Sequence, residues 1–425
     1  MLFLSTSKRG LQKALYLLEG YCSRWKLSVN TRKTKVMIFN MRKFDNIKFM
    51  YNGEELEIAD RYVYLGLTIT PSGNFSKAIK DLSTKAASAL YSLNSSLRSV
   101  SHNPKLTLKL FDSLVKPIAL YGSEVWGAFH LKKKDSELLL NNIIDSQKKP
   151  FESLNTKACK QALKINKYAS TLGSLAELGK VPLSINIIVS TIKYLYRILA
   201  ADPQSLLSCA FQSQIKLSKN SGNTLTFPQV VTHLLSELGL EHTITIFKDL
   251  NMESSKPQIK ELGKLVLEKC TKHFKTRTMT KINNLENNPD SKLALYAKIK
   301  TTYSYENYLD NIDSFTSILT KFRLSTHNLP IERGRYSRPK LERKDRVCKF
   351  CKTGIGDELH ALFKCEHATL SDMRNKFLPK IKAIVTELHQ LDNESSLLLI
   401  LSGEYDSVAT NLIKEWLSRC DLVHK

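Results

Sequence analysis

From Gly10 to Leu27 apolar residues return at every third or fourth position, at Leu11, Ala14, Leu15, Leu18, Cys22 and Trp25, which is the spacing of one face of an amphipathic helix. Ahead of it, Met1–Ser5 opens with the apolar run MLFL and reads as a short strand without a polar lead-in, as expected of a truncated domain. Lys35–Phe39 is a further strand candidate. Ile47–Tyr51 and Leu56–Ile58 flank Asn52-Gly53, a pair that tolerates the positive φ angles of a tight hairpin turn. Arg61–Thr70 reads as one more strand, ended by the turn residues Pro71-Ser72-Gly73. Beyond Asn74 the period is helical almost throughout, over about Phe75–Ser99, Pro104–Tyr121, Asp135–Asn155 and Leu183–Ala200, with Pro104 suited to a helix first turn. Ser218–Asn223, Leu250–Pro257 and Asn287–Asp290 are the polar breaks, and no repeat of fixed period recurs. The pattern predicts a mainly α fold with a small antiparallel β-sheet.

Charge changes this picture more than composition does. Of 425 residues, 64 are Lys or Arg and 40 are Asp or Glu, a formal net charge of +24. Such an excess repels itself in a compact state and attracts polyanions, nucleic acid foremost; the plain alternative is a soluble basic surface. Eight cysteines are too few in a chain this long for a disulfide scaffold, which predicts a reducing compartment, nucleus or cytoplasm. The longest apolar runs, such as Leu397–Leu401, are far too short to span a membrane, so no membrane partner is expected.

One constellation suggests a metal directly. Cys348, Cys351, His360 and Cys365 are spaced C-x₂-C-x₈-H-x₄-C, so two thiolates from a tight turn and an imidazole and thiolate from a following helix would complete the closed tetrahedral shell of structural Zn²⁺. His367 is an alternative fourth ligand, and reduced, metal-free cysteines are the bland reading. Leading into this module, Arg323, Arg333, Arg335, Arg338, Lys340, Arg343, Lys344, Arg346, Lys349 and Lys352 surround Tyr336, against only Glu332, Glu342 and Asp345. Arginine suits bidentate phosphate contacts and Tyr336 could stack on an unpaired base. Lys132–Lys134 is a shorter basic run, better read as a solvated helix start than as a nuclear signal.

Several segments, taken in order, resemble the C-terminal part of a LINE-type (non-LTR) retrotransposon reverse transcriptase. Trp25–Asn30 through Lys33-Thr34-Lys35-Val36-Met37 is similar to the palm segment with its Asn-x-x-Lys-Thr signature, and Tyr64-Leu65-Gly66-Leu67 resembles the hairpin that abuts the primer end. Leu114–Trp126, the stretch LVKPIALYGSEVW, is similar to the thumb signature. Lys157–Arg197 and Phe322–Tyr336 resemble the downstream helical and basic-plus-cysteine segments. The resemblance implies a partial palm over 1–73, a helical thumb and connecting bundle over 74–220, a helical linker region over 221–320 and a basic C-terminal module with a knuckle-like site over 321–425. It further implies that Lys33 lies near the incoming nucleotide's phosphates, against the alternative of a solvated Lys-rich turn. Tyr64, Leu65 and Gly66 would face the primer, and Arg333, Arg335, Tyr336, Arg338, Arg343 and Arg346 would contact RNA. Pro117, Tyr121 and Trp126 are expected to pack helices.

Polymerisation itself needs clustered carboxylates holding two Mg²⁺ ions ~3.5–4 Å apart. The sequence contains no Asp-Asp pair. The resemblance therefore implies that Mg²⁺ belongs to the intact parent enzyme, that this chain alone is inactive as a polymerase, and that its partners are template and primer, RNA and DNA. The alternatives are a stand-alone nucleic-acid-binding protein derived from such an element and a decayed copy without activity.

Overall fold

The structure, a computed structural model, describes residues 2–39, 47–97, 104–131, 140–141, 149–220, 226–248, 253–310, 316–403 and 405–425. They divide into two units, Met1–Thr84 and Lys85–Lys425. Helices dominate, and all named strands among the described residues lie in the first unit.

In that first unit the predicted helix runs Lys8–Arg24, started by Ser7, whose hydroxyl accepts from the Gly10 N–H at 3.1 Å. It turns Leu15 onto a small core of Val36, Phe49, Tyr51 and Leu56. Gln12 clamps the sheet to the helix: its Nε2 donates to the Met50 carbonyl at 2.8 Å and its Oε1 accepts from the Met50 N–H at 2.9 Å. The turn expected at Asn52-Gly53 closes an antiparallel hairpin, with Asn52 at φ 49° and Gly53 at φ 78°, but its second arm is Glu54–Glu55 and not the expected Leu56–Ile58. Lys35–Val36 pairs with Glu57–Ile58, and this ladder is parallel.

Two further strand expectations are corrected here. Arg61–Thr70 is not the one strand its residues suggested but a second hairpin, as the resemblance at Tyr64–Leu67 implied, with Tyr62–Tyr64 against Leu67–Ile69, because Leu65 (φ 46°) and Gly66 (φ 82°) reverse the chain between them. Leu2–Ser5 is irregular and exposed, since no strand among the described residues pairs with its backbone groups.

The second unit is helical. Pro104–Leu110 passes into a wider turn over Phe111–Val115, in which the Lys116 N–H reaches back to the Phe111 carbonyl, before Lys116–Ala119 continues. Pro117 explains the widening, because proline has no N–H to donate and its ring crowds the preceding turn. Leu183–Leu199 is the central helix, with Ser123–Leu131 and Ser255–Asn283 packed on it. Gly127 permits the first crossing: a Cβ there would stand 2.8 Å from Ile187 Cγ2. The central helix begins at Leu183 without a capping side chain of its own, and the buried Glu152 supplies one, accepting from the Ser184 N–H and hydroxyl at 2.7 Å each. Burial, the largest influence, raises its carboxyl above the ordinary value in spite of those bonds.

Trp126 is fully buried, stacked on Phe151 at 5.2 Å and donating from Nε1 to the Tyr121 carbonyl at 2.8 Å. Pro117 and Tyr121, expected to pack helices with it, are exposed instead, because they fall on the outer side of the turns before Ser123. The helix expected over Asp135–Asn155 is described from Pro150, runs to Ala162, and has its proline in the first turn. Lys132–Lys134 lies outside the described residues, as does most of 135–148. Of the expected break at Ser218–Asn223, the first residues belong to the helix Leu206–Asn220 and 221–223 lie outside the described residues.

At the heart of this unit sits a polar cluster that the sequence did not announce. Arg323 is 1% exposed and is therefore not part of any basic surface. Its Nε meets Glu177 Oε1 at 2.6 Å, its second terminal nitrogen meets Glu306 Oε2 at 2.8 Å, and its first donates to the carbonyls of Leu401 (2.7 Å) and Ser402 (3.0 Å). Tyr296 and Tyr308 donate their hydroxyls to Glu177 at 2.9 and 2.5 Å, and Lys300 pairs with Glu306. Gly179, at φ 59°, lets the chain pass the 304–305 backbone, where a Cβ would lie 2.8 Å from the Tyr305 nitrogen. Four segments distant in sequence thus share one buried, satisfied charge network.

Candidate metal centre and basic surface

Val347 and Ile355 pair as a one-residue bridge, and between them the chain folds back tightly: the Cys348 N–H donates to Gly354 at 2.8 Å and the Lys352 N–H to Cys348 at 3.0 Å. Lys352 takes φ 57° to complete the reversal. That turn points Cys348 and Cys351 the same way. Asp357 then starts a short helical segment, accepting from the His360 N–H at 2.9 Å, and a wide turn over His360–Lys364 brings the Cys365 N–H back to the His360 carbonyl. The wide turn sets His360 and Cys365 on one side, facing the two cysteines.

The four donor atoms all lie within 4.8 Å of one another, with Cys348 Sγ 4.0 Å from Cys365 Sγ and Cys351 Sγ 3.2 Å from His360 Nε2. A tetrahedral zinc with sulfur at ~2.3 Å and nitrogen at ~2.0–2.1 Å would hold its ligand atoms ~3.6–3.8 Å apart. The donor set and its spacing fit that ion. Gly354 makes room, since a Cβ there would stand 3.0 Å from His360 Nδ1. Burial pushes the Cys351 thiol up, but hydrogen bonds from Thr353, Cys348 and His360 outweigh it and hold the thiol at about 6. Burial keeps Cys365 at about 11. His367 does not join the four; its Nδ1 accepts from the Thr369 N–H at 3.3 Å and starts the helix Ala368–Ile384. The other cysteines, Cys22, Cys159, Cys209, Cys270 and Cys420, are free thiols.

The basic residues leading into this turn divide by environment. Arg346 is buried, donating from Nε and one terminal nitrogen to the Leu341 carbonyl at 3.1 and 2.9 Å and from the other to Ile331 at 3.2 Å, so its guanidinium braces the loop. Arg343 is partly buried between the Pro289 carbonyl and Asp357, 3.2 Å from each. Arg335 is likewise held, 2.8 Å from Glu332 and donating to the Asp290 carbonyl at 2.5 Å. Arg333, Arg338, Lys340, Lys344, Lys349 and Lys352 are exposed, and Tyr336 is half-exposed among them.

Lys33, Tyr64, Leu65 and Gly66, which the resemblance ties to nucleotide and primer, belong to the first unit. Lys33 is exposed in a turn whose N–H donates to Asn30 Oδ1 at 3.0 Å. Leu65 and Gly66 form the exposed tip of the second hairpin, and Tyr64 is partly buried at its base. One aromatic that the sequence reading passed over, Tyr168, stands beside Tyr336 with ring centroids 5.4 Å apart. Among the described residues no helix is long and apolar enough to cross a membrane.

No family model matches the chain. No solved structure matches it either. It is similar to a transposon-derived protein of Caenorhabditis elegans, 33% identical over 118 residues, which is 27% of this chain and 41% of that one. It is also similar to a Drosophila melanogaster protein named as an RNA-directed DNA polymerase from the transposon BS, 29% identical over 127 residues, 28% of this chain and 14% of that one. The chain thus spans less than half the length of either relative. Over about a quarter of its length it is homologous to transposon-encoded proteins, an RNA-directed DNA polymerase among them.

Proposed function

We propose that this chain is the C-terminal part of a LINE-type retrotransposon reverse transcriptase and that its own activity is to bind RNA through a zinc-stabilised basic module. The observation that carries the reading is the convergence of Cys348, Cys351, His360 and Cys365 within 4.8 Å, on a turn whose flanks expose Arg333, Arg338, Lys340, Lys344, Lys349 and Lys352. These four residues would hold Zn²⁺ with no open coordination position, so the ion's part is to fix the turn. The exposed cations then supply phosphate contacts, while Arg335, Arg343 and Arg346 brace the loop from within. Template and primer RNA and DNA are the partners this reading names, and the similarity to a transposon RNA-directed DNA polymerase supports them. Lys33 and the Leu65-Gly66 tip serve nucleotide and primer in the longer enzyme.

The test is binding of the purified chain to a structured RNA across a salt series, with zinc measured on the same sample. About one zinc per chain and an affinity that falls steeply as salt rises are expected, because each neutralised phosphate releases a counterion. A zinc-free chain that binds RNA no better than a neutral protein does would overturn the proposal.

A further inference from the structure

The turn 164–168, Lys-Ile-Asn-Lys-Tyr, lies far from the cysteine module in sequence, within the segment Lys157–Arg197. Its conformation is fixed. Lys164 takes φ 53°, the Tyr168 N–H donates to Asn166 Oδ1 at 2.9 Å, and Lys160 Nζ donates to the Lys167 carbonyl at 3.0 Å. The result sets the Tyr168 ring beside Tyr336, centroids 5.4 Å apart and planes inclined by 36°. Tyr336 is pinned in turn: its N–H donates to Arg333 at 3.0 Å and its hydroxyl accepts from Lys292 at 3.0 Å. Lysine nitrogens lie over both rings, Lys167 5.1 Å from the Tyr168 centroid and Lys292 5.2 Å from that of Tyr336.

Two tyrosines held this firmly would ordinarily be packed inside. Here Tyr168 is 59% exposed and Tyr336 52%. Lys164 and Lys167 on one segment and Arg333, Arg338 and Lys340 on the other, each within four residues of one of the two tyrosines in the chain, are exposed. The charge of Lys292 is taken up by Glu332, so it orients Tyr336 and leaves phosphate contact to the outer cations. Pre-set aromatic faces ringed by cations are what unpaired nucleotides need, because every base has a π-face to stack and every linkage a phosphate to neutralise. A blunt duplex offers the phosphates without free base faces.

We propose that Tyr168 and Tyr336 form a composite stacking platform for unpaired nucleotides of single-stranded RNA, flanked by phosphate contacts from Lys164, Lys167 and Arg338. The inference rests on the RNA-binding reading above and assigns to that surface a residue, Tyr168, from a segment outside the cysteine module. It also gives the surface a preference for unpaired strand over duplex.

The experiment titrates the full chain with an end-labelled oligoadenylate, and with the same strand annealed into a blunt RNA duplex, at several salt concentrations. Tyr168→Ala is expected to weaken oligoadenylate binding by about 5- to 100-fold at every salt concentration, the loss of one stacked base. Tyr168→Phe keeps the ring and should stay within about 2-fold. Because tyrosine carries no charge, the salt slope should not change in either variant, whereas Lys167→Ala should lower it by about 1. Duplex affinity should be unaffected by Tyr168→Ala. If circular dichroism shows Tyr168→Ala melting early, Tyr168→Leu keeps the apolar bulk and takes its place. Oligoadenylate binding by Tyr168→Ala or Tyr168→Leu equal to that of the unaltered chain overturns the platform while leaving RNA binding by the cysteine module intact. An unaltered chain that binds neither RNA overturns both readings.

Discussion

Replacing Glu177 by glutamine tests the polar cluster at the centre of the second unit. The side chain keeps its size and can still accept from Tyr308, but Arg323 loses the partner that sits 2.6 Å from its Nε. Of the cluster's charges, Glu177 and Glu306 balance Arg323 and Lys300; after the change one buried positive charge is left over. Breaking a buried pair from one side costs about 3–5 kcal/mol. Glu306 and the carbonyls of Leu401 and Ser402 still hold the guanidinium, which puts the expectation near the lower end, about 3 kcal/mol. Urea denaturation followed by far-ultraviolet circular dichroism would read this as a lower midpoint at unchanged slope. The double variant Glu177→Gln/Arg323→Met should lose less than the two single losses added, because the second change removes the charge the first left unpaired. There is also a pH signature. Burial pushes the Glu177 carboxyl up, but Arg323, Lys300 and Tyr308 outweigh it and hold the group below its ordinary value. Its contribution is therefore complete above the unfolded value of about 4.3 and is lost as pH falls through the lower folded value, a dependence that the glutamine variant should lack. A loss under about 1 kcal/mol, or strict additivity in the double variant, would refute the reasoning.

Two further outcomes can be checked with the same material. His130 is buried against Trp126 and Phe151, and burial pulls its imidazole down to about 3. Its share of stability is complete above the unfolded value near 6.5 and drains at about 1.4 kcal/mol per pH unit below it, so denaturation midpoints of His130→Phe should fall less steeply between about pH 6.5 and 3 than those of the unaltered chain. Gly354→Ala pushes a methyl against His360 Nδ1 at 3.0 Å, so zinc affinity, read by chelator competition, should fall about 10- to 100-fold with little change in the helical signal.

What the sequence made legible was local. The first helix followed from its apolar spacing, the hairpin at 50–55 from Asn52-Gly53, and the Cys348–Cys365 cluster from the intervals between its ligands. Residue by residue Arg61–Thr70 read as one strand because Leu65 is a poor turn residue, and it was the resemblance at Tyr64–Leu67 that implied the hairpin in which Leu65 takes φ 46°. The Lys116 region was read as unbroken helix although Pro117 already signals the irregularity at Phe111–Val115. Charge sorting failed for a different reason. Arg323 and Arg346 look like neighbours of Arg333 in the chain, and nothing local distinguishes a cation whose partner is Glu177, 146 residues away. The same limit hid Tyr168, whose meaning depends wholly on Tyr336.

The Glu177–Arg323 pairing has a consequence for synthesis on the ribosome. At roughly 5–20 residues per second, the 146 residues between them take roughly 7–30 s to emerge, and the Leu401 and Ser402 carbonyls follow later still. Well before that interval ends, the Thr171–Glu177 helix and the long apolar helix after it have been made, yet the cation that pairs with Glu177 has not. Nascent chains of this protein therefore pass through an interval in which the Glu177 carboxylate has been made and its counter-charge has not, and burying it unpaired is unfavourable. Holdase chaperones have that window in which to act, and a transcript cut short before Arg323 would yield a product that never leaves it.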